Sequence, residues 1–210
     1  MDPLPAAVTL DAVIDAWLTP PPPAVLDVSA GGRLPAPGIV ALELPDAPLQ
    51  TLPPSDAHRA WGGGAQAFAY FWDGAGPTVA LVHGWGGCAG IWSLWVGQLL
   101  RAGYRVVSID APAHGAAPGN RASAPAIAGT VRAASREVGP FAATVSHSLG
   151  AIASSLAAAD GEPLVAMVHL AACVEVDGTL LETAGSLELP RERIPALRER
   201  LAERLARTCH

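Results

Sequence analysis

FAATVSHSLG, residues 141–150, is the most informative stretch of this sequence. Its first half, FAATV, is an apolar run typical of a strand that is covered on both faces. An alanine-rich segment typical of a helix, residues 149–159, follows at once. Only residues 146–148, SHS, stand between the two, so the connection from the strand to the helix is short. The pattern predicts a strand joined to a helix by a short connection that contains Ser148.

The same alternation of strand and helix extends on both sides of this turn. Apolar runs predict strands at residues 78–82, 105–109, 141–145 and 164–170, each covered on both faces. Helices are predicted between them, at residues 91–101, 124–138 and 149–159. Two earlier β-like pieces lie at residues 38–44 and 66–72. This order is typical of an α/β fold, with a mostly parallel sheet and helices on both faces.

Composition limits the classes of function. The chain has 210 residues and is 50% apolar, enough for one well-buried domain. Its net charge is −6 without a basic run, which does not favour nucleic-acid binding or a polybasic membrane patch. Three distant cysteines, Cys88, Cys173 and Cys209, favour neither a disulfide framework nor a zinc site. With no secretory signal or apolar membrane span evident, we expect a cytoplasmic protein in a reducing compartment.

Three regions are predicted along the chain. Residues 1–37 are a Pro-rich extension, for which we expect little regular structure because prolines punctuate short apolar pieces. Residues 38–173 hold the α/β core. Residues 174–210 include a predicted helix at 191–207, which has one apolar stripe: Ile194, Leu197, Leu201 and Leu205. By their place after the sixth strand they resemble the start of a helical cap.

The turn SHSLG resembles a nucleophile elbow. In such a turn the serine sits at the end of a strand in a strained conformation, and its neighbours must be small. Gly150 meets this requirement, whereas Ser146 stands where the usual pattern has glycine. The alternative is an ordinary loop in which the Ser148 hydroxyl caps the following helix.

A second motif, HGWGG at residues 83–87, follows the strand at 78–82. Together with the elbow it resembles the α/β-hydrolases, where such a loop gives one backbone N–H to the oxyanion hole. The resemblance implies that Trp85 and Leu149 are the two donors, and that Gly150 and the loop residues His83, Gly84, Gly86 and Gly87 support them. Serine esterases and lipases of this kind act on small ester or acyl substrates through an acyl-enzyme, without cofactor or metal.

A third motif, DAPAHG at residues 110–115, is similar to a loop that follows the fourth strand in the same family, with Ala113 in place of a glycine. That loop is mainly structural in the family, so no catalytic role is assigned to Asp110 or His114. The three motifs occur in family order over residues 66–173.

An alternative comes from Gly84, Gly86 and Ala89, which also fit the dinucleotide fingerprint Gly-x-Gly-x-x-Gly/Ala, with Asp110 at the end of the next strand. This would predict a Rossmann-type oxidoreductase. It leaves His83 and the serine turn unexplained, and the fingerprint follows two earlier strands instead of the first. We favour the hydrolase interpretation.

The resemblance also implies parts that the sequence does not show. A serine nucleophile needs a histidine, which in turn needs a carboxylate. In this family both follow the nucleophile, after strands seven and eight, so we expect a C-terminally truncated hydrolase that lacks the last two strands and has little activity. Asp177 is a possible acid, while His58, His147, His169 and His210 are poorly placed as bases. The alternative is a non-catalytic degenerate hydrolase or an interaction module.

Overall fold

The computed structural model describes residues 8–22, 26–44 and 66–207. Within these ranges the strands of one six-stranded sheet are β1 Gly38–Glu43, β2 Gln66–Trp72, β3 Thr78–Val82, β4 Arg105–Asp110, β5 Phe141–His147 and β6 Ala166–Leu170. Their order across the sheet is β1-β2-β4-β3-β5-β6. Strands β3 to β6 are parallel, whereas β2 pairs antiparallel with β1 and β4. The predicted mostly parallel sheet is confirmed.

Helices cover both faces of this sheet, as predicted. Helix α2, Ser93–Arg101, follows a 3₁₀ turn at Ala89–Trp92 and buries Trp92 and Val96 against one face. Helices α3, Ala124–Val138, and α4, Leu149–Ala159, pack on a separate apolar cluster. The central strand β3 is therefore buried at every residue, which explains why its sequence is continuously apolar.

Strand β6 differs from the prediction. It begins at Ala166 and not at residue 164, and it forms one edge of the sheet. Its apolar run predicted burial on both faces, but Met167 is 41% and Val168 47% exposed. This expectation was wrong. Within the described residues β6 pairs with β5 alone, and an edge strand has fewer neighbours to cover its side chains.

Three further helices form a small layer of their own, which we call the three-helix layer: α1 Leu10–Leu18, α5 Val176–Ser186 and α6 Ile194–Arg207. They share an apolar cluster that includes Ile14, Leu180 and Leu197. The helix predicted near the C-terminus is confirmed, with a short 3₁₀ turn at Arg191–Arg193 before it.

Helix α1 corrects the expectation of little regular structure in the N-terminal extension. The Thr9 hydroxyl accepts a hydrogen bond from the N–H of Ala12 at 3.1 Å and so caps the helix. Val13, Ile14 and Leu18 are buried against α5 and α6. The proline content concealed a nine-residue amphipathic segment whose apolar face is covered only by residues far along the chain. No helix in the described ranges is long and apolar enough to cross a bilayer.

Candidate active site

Ser148 lies between β5 and α4 with φ 49° and ψ −119°. A positive φ is uncommon for a residue with a side chain, and such conformations cost about 1–3 kcal/mol where they persist. Backbone bonds hold it: its N–H donates to the Leu170 carbonyl at 3.0 Å, and its own carbonyl accepts from Ala151 at 3.0 Å and Cys173 at 3.2 Å. Its side chain makes no capping hydrogen bond to α4. The alternative of a simple helix cap is therefore wrong.

The glycine loop after β3 lies directly against this turn. A Cβ on Gly84 would come 2.9 Å from both Ser148 Cβ and the His147 carbonyl oxygen. A Cβ on Gly150 would come 2.5 Å from the His83 carbonyl oxygen. Real Cβ atoms do not approach backbone oxygens that closely, so both glycines are needed for contact between the two loops. The structure thus brings together residues of the two motifs that lie 63 or more positions apart in the sequence.

Ser146 occupies the position where a glycine is usual. Its side chain is fully buried, and its Oγ lies 2.7 Å from Nδ1 of His169 on the neighbouring strand β6. It also lies 3.4 Å from the Val168 carbonyl oxygen. The hydroxyl has polar partners on β6, which explains how this turn accommodates a serine.

His83 joins the glycine loop to the loop after β4. Its Nε2 accepts a hydrogen bond from the N–H of Ala111 at 3.1 Å, so the ring proton must be on Nδ1, which lies 2.7 Å from the Gly84 carbonyl oxygen and donates to it. Complete burial, with the nearby His114 ring as a lesser cause, lowers the pKa of His83 to about 3. The imidazole is neutral and both nitrogens are engaged, so His83 is a structural cross-link.

The carboxylate of Asp110 is also engaged in hydrogen bonds within the fold. It is buried and accepts from the N–H of Ala89 at 2.6 Å, the N–H of Ala116 at 2.8 Å and the hydroxyl of Tyr70 at 3.0 Å. Burial, and secondly the charge of Asp110, raise the pKa of Tyr70. A carboxylate engaged in this way is not available to a ribose hydroxyl, which speaks against the dinucleotide alternative.

His114 lies beneath the glycine loop. Its Nδ1 lies 2.9 Å from the Pro112 carbonyl oxygen, and its ring lies 4.8 Å from that of His83 and 5.4 Å, edge-on, from that of Trp85. Burial lowers the pKa of His114. Ala113, which replaces a family glycine, has φ 60°, the conformation that glycine adopts without strain.

The two N–H groups predicted as oxyanion donors form no hydrogen bond with another of the described residues. Within the described residues the N–H of Trp85 has no hydrogen-bond acceptor. Leu149 is the first residue of α4, where the N–H has no partner inside the helix. Free N–H groups beside Ser148 are the type of donor that a developing oxyanion requires.

No histidine of the described part of the chain forms a hydrogen bond with the Ser148 hydroxyl. His147 is exposed at the end of β5, and His169 is bonded to Ser146. His58, Cys209 and His210 lie outside the described residues. Nor do any three His, Cys, Asp or Glu side chains within those ranges come together as metal ligands would.

Asp177, the possible acid, is engaged elsewhere. Arg198 on α6 donates to both of its carboxylate oxygens, from Nε at 2.9 Å and from Nη2. These hydrogen bonds lower the pKa of Asp177. The carboxylate therefore joins α5 to α6 in the three-helix layer.

Sequence reasoning missed the contact of the N-terminal segment with the glycine loop. A Cβ on Gly86, whose φ is +70°, would come 2.7 Å from Cγ of Pro21. The capping residue Thr9 and the apolar spacing of Val13, Ile14 and Leu18 were the available signals for α1. Nothing in the sequence indicated where that helix packs.

Solved structures of low sequence identity share this fold. An esterase of Pyrococcus furiosus superposes with a TM-score of 0.60 at 15% identity, over 89% of this chain and 68% of that one. In another of its crystal forms the match covers 60% of the esterase chain, with a TM-score of 0.59. The alpha/beta hydrolase domain-containing protein 10 of mouse gives a TM-score of 0.50 at 21% identity, over 65% of this chain and 55% of that one.

Sequence comparison identifies the family. A segment of 45 residues is 51% identical to the pimeloyl-[acyl-carrier protein] methyl ester esterase of Methylococcus capsulatus. This segment is 21% of the present chain and spans only 17% of that protein. The sequence pattern of the Alpha/beta hydrolase family matches residues 79–208, which is more than half of the chain. The chain belongs to the alpha/beta hydrolase family.

Proposed function

We propose that Ser148 is the nucleophile of a hydrolase that cleaves carboxylic esters or related small acyl substrates through an acyl-enzyme. The observation behind this proposal is the conformation of Ser148, strained at the end of β5 and with its hydroxyl unused by the helix that it precedes. Strain of this kind persists only where the surrounding structure enforces it, and it is concentrated at active sites. The esterases among the similar proteins agree with an ester substrate.

The proposed reaction begins with attack of Ser148 Oγ on the substrate carbonyl carbon. The carbonyl oxygen becomes an oxyanion, to which the N–H groups of Trp85 and Leu149 donate. Collapse of the tetrahedral intermediate expels the alcohol and leaves an acyl-serine, which water then hydrolyses. Each donor of this type is worth about 3–4 kcal/mol of transition-state stabilisation.

The proton of Ser148 needs an acceptor. The loss of a triad histidine costs on the order of 10⁶ in turnover and leaves about 10³ to 10⁴ over the reaction in water. Because no histidine of the described residues bonds to the Ser148 hydroxyl, we expect slow turnover by the 210-residue chain. The same observation favours, as a second candidate, a non-catalytic member of the family.

Hydrolysis of p-nitrophenyl acetate by the full chain, compared with Ser148→Ala, separates the two candidates. We expect slow release of p-nitrophenol that Ser148→Ala abolishes, with one acetyl group found on Ser148 by mass spectrometry after rapid quenching. Equal rates for both proteins and an unmodified Ser148 would favour the non-catalytic candidate. Ser155→Ala on α4 is the control, because its hydroxyl bonds only to the Ala151 carbonyl within the helix.

A further inference from the structure

The N-terminal arm, residues 8–22, reaches the glycine loop at Pro21. There the ring of Pro21 lies against Gly86, and a Cβ on Gly86 would come 2.7 Å from Pro21 Cγ and 3.3 Å from Cδ. The φ of Gly86 is +70°, a conformation that glycine adopts without strain, and glycine has many other conformations available, so a contact that restricts this loop has an effect on its position. The Pro21 ring supplies such a contact, and the ring is rigid.

The arm is fixed on both sides of its helix. At its start the Val8 carbonyl accepts from Arg193 at 2.9 Å, and Asp11 forms an ion pair with Arg200 at 2.8 Å. After the helix, the Leu18 carbonyl accepts from the N–H of Ala122 at 3.1 Å. Pro21 is thus held by a segment that is anchored to α6 and to the loop before α3.

Helix α1 connects the arm to the rest of the three-helix layer. Val13 and Ile14 are completely buried, and Trp17 Nε1 donates to Thr179 Oγ1 on α5 at 3.0 Å. A movement of α5 or α6 must therefore carry α1 with it, because the three helices share one apolar cluster. The arm then transmits this movement to Pro21.

The opposite side of the glycine loop is also fixed. His83 ties the Gly84 carbonyl to Ala111, and the His147–Ser148 turn lies against Gly84. The loop between these contacts contains Trp85, whose N–H is the proposed oxyanion donor. Pro21 adds a contact from the N-terminal arm, which continues from helix α1 of the three-helix layer.

We propose that Pro21 is a positioning residue for the oxyanion loop, and that the N-terminal arm couples the three-helix layer to it. The effect on catalysis rests on the proposed function of Ser148. The coupling of the arm to the loop is a property of the fold and does not depend on that function. When the layer is seated, Pro21 holds Gly86 and hence the N–H of Trp85 in place. When the layer moves away, the loop is released.

The amide of Gly87 reports the state of this loop without any catalysis. Its N–H donates to the Gly84 carbonyl at 3.1 Å, so hydrogen exchange at this amide measures how often the turn opens. In Pro21→Ala, which lacks Cγ and Cδ, we expect Gly87 to exchange about tenfold faster than in wild type. The matched control Pro22→Ala should leave it unchanged. Equal exchange in Pro21→Ala and wild type would overturn the positioning role.

Coupling through the layer is tested by a second matched pair. Ile14→Ala creates a cavity in the three-helix layer, whereas Ile127→Ala creates one beneath the sheet, and both side chains are completely buried. We expect faster exchange of Gly87 in Ile14→Ala only. If both variants change it equally, or neither does, the arm does not couple the layer to the loop.

The ratio of the effects on kcat and KM distinguishes a positioning role from a purely structural one. With p-nitrophenyl acetate, Pro21→Ala should lower kcat about tenfold while KM stays within about twofold, since a displaced donor affects the transition state more than substrate binding. A fall in kcat no larger than that of Pro22→Ala would contradict the catalytic part. If wild type does not acylate Ser148, the proposed function fails, and exchange at Gly87 still decides the role of Pro21.

Discussion

Nε2 of His83 accepts a hydrogen bond from the backbone N–H of Ala111 at 3.1 Å, inside a region from which water is excluded. This one bond fixes the tautomer of the imidazole and connects the loops that follow β3 and β4. Protonation of Nε2 would replace an acceptor by a donor that faces another donor.

The stability of the protein should therefore fall in acid. The unfolded pKa of His83 is near 6.5 and the folded pKa is about 3, so the unfolded state binds a proton first as the pH is lowered. The contribution of His83 to the free energy of unfolding is complete above pH 6.5 and is lost progressively between pH 6.5 and 3. The loss is about 1.4 kcal/mol for each pH unit, or several kcal/mol in all. Urea unfolding at pH 7.5 and 4.5 measures this loss.

His83→Gln is the control for that measurement. It removes the titrating group, so the variant should be less stable than wild type at pH 7.5 but lose less stability on going to pH 4.5. An equal pH dependence in both proteins would assign the effect to other groups, such as His114.

Because the backbone of Ser148 is strained, a glycine at this position should make the protein more stable while it removes the proposed nucleophile. Glycine adopts φ 49° and ψ −119° without a Cβ clash, so Ser148→Gly should raise the free energy of unfolding by about 1 kcal/mol after its larger chain entropy is subtracted. Ser148→Ala keeps the Cβ and should change stability by less than about 0.5 kcal/mol. Thermal unfolding of both variants, each unable to form the acyl-enzyme, decides whether the turn stores this strain.

Gly150→Ala should destabilise the protein by more than about 2 kcal/mol. The new Cβ would meet the carbonyl oxygens of His83 at 2.5 Å and Val82 at 2.7 Å, and these belong to backbone that cannot move away cheaply. Gly129→Ala is the matched control in helix α3, where no atom lies within 4 Å of the added Cβ. Because alanine favours a helix, that variant should gain up to about 1 kcal/mol. Urea unfolding that finds the two equally stable would contradict the close contact of the loops.

Ala113→Gly should stabilise the protein. Ala113 has φ 60°, which costs a residue with a Cβ about 1–2 kcal/mol, and glycine removes most of that cost at the expense of chain entropy. A gain of about 0.5–1 kcal/mol is expected in thermal unfolding. Ala116→Gly, in the same loop but without a positive φ, should lose a few tenths of a kcal/mol instead.

Much of the fold followed from local patterns. The central strand β3 and helices α3 and α4 have the predicted bounds, because a buried parallel strand must be apolar throughout and a covering helix repeats its apolar residues every three or four positions. The same reasoning gave a wrong prediction of burial for strand β6, since an apolar run does not reveal whether both faces are covered.

For the candidate site, too, the sequence predicted the positions of residues but not their partners. Short motifs located Ser148, the glycine loop around Trp85 and the loop of Asp110, because tight turns restrict which residues can occupy them. The partners of those residues could not be read from the sequence: His169 for Ser146, Ala111 for His83 and Arg198 for Asp177. A hydrogen bond across 21 to 28 residues depends on where two elements meet.

The sequence by itself determined the order of strands and helices, the position of the sharp turn at Ser148 and the glycines beside it, because these depend on backbone conformation and on burial along one segment. Only the tertiary structure decided that α1 joins α5 and α6, and that Pro21 rests on Gly86, 65 residues further along the chain. Proline at position 21 looks the same in a loose extension as in a packed arm. The difference lies in apolar surface that other segments supply, and this surface exists only once the chain has folded.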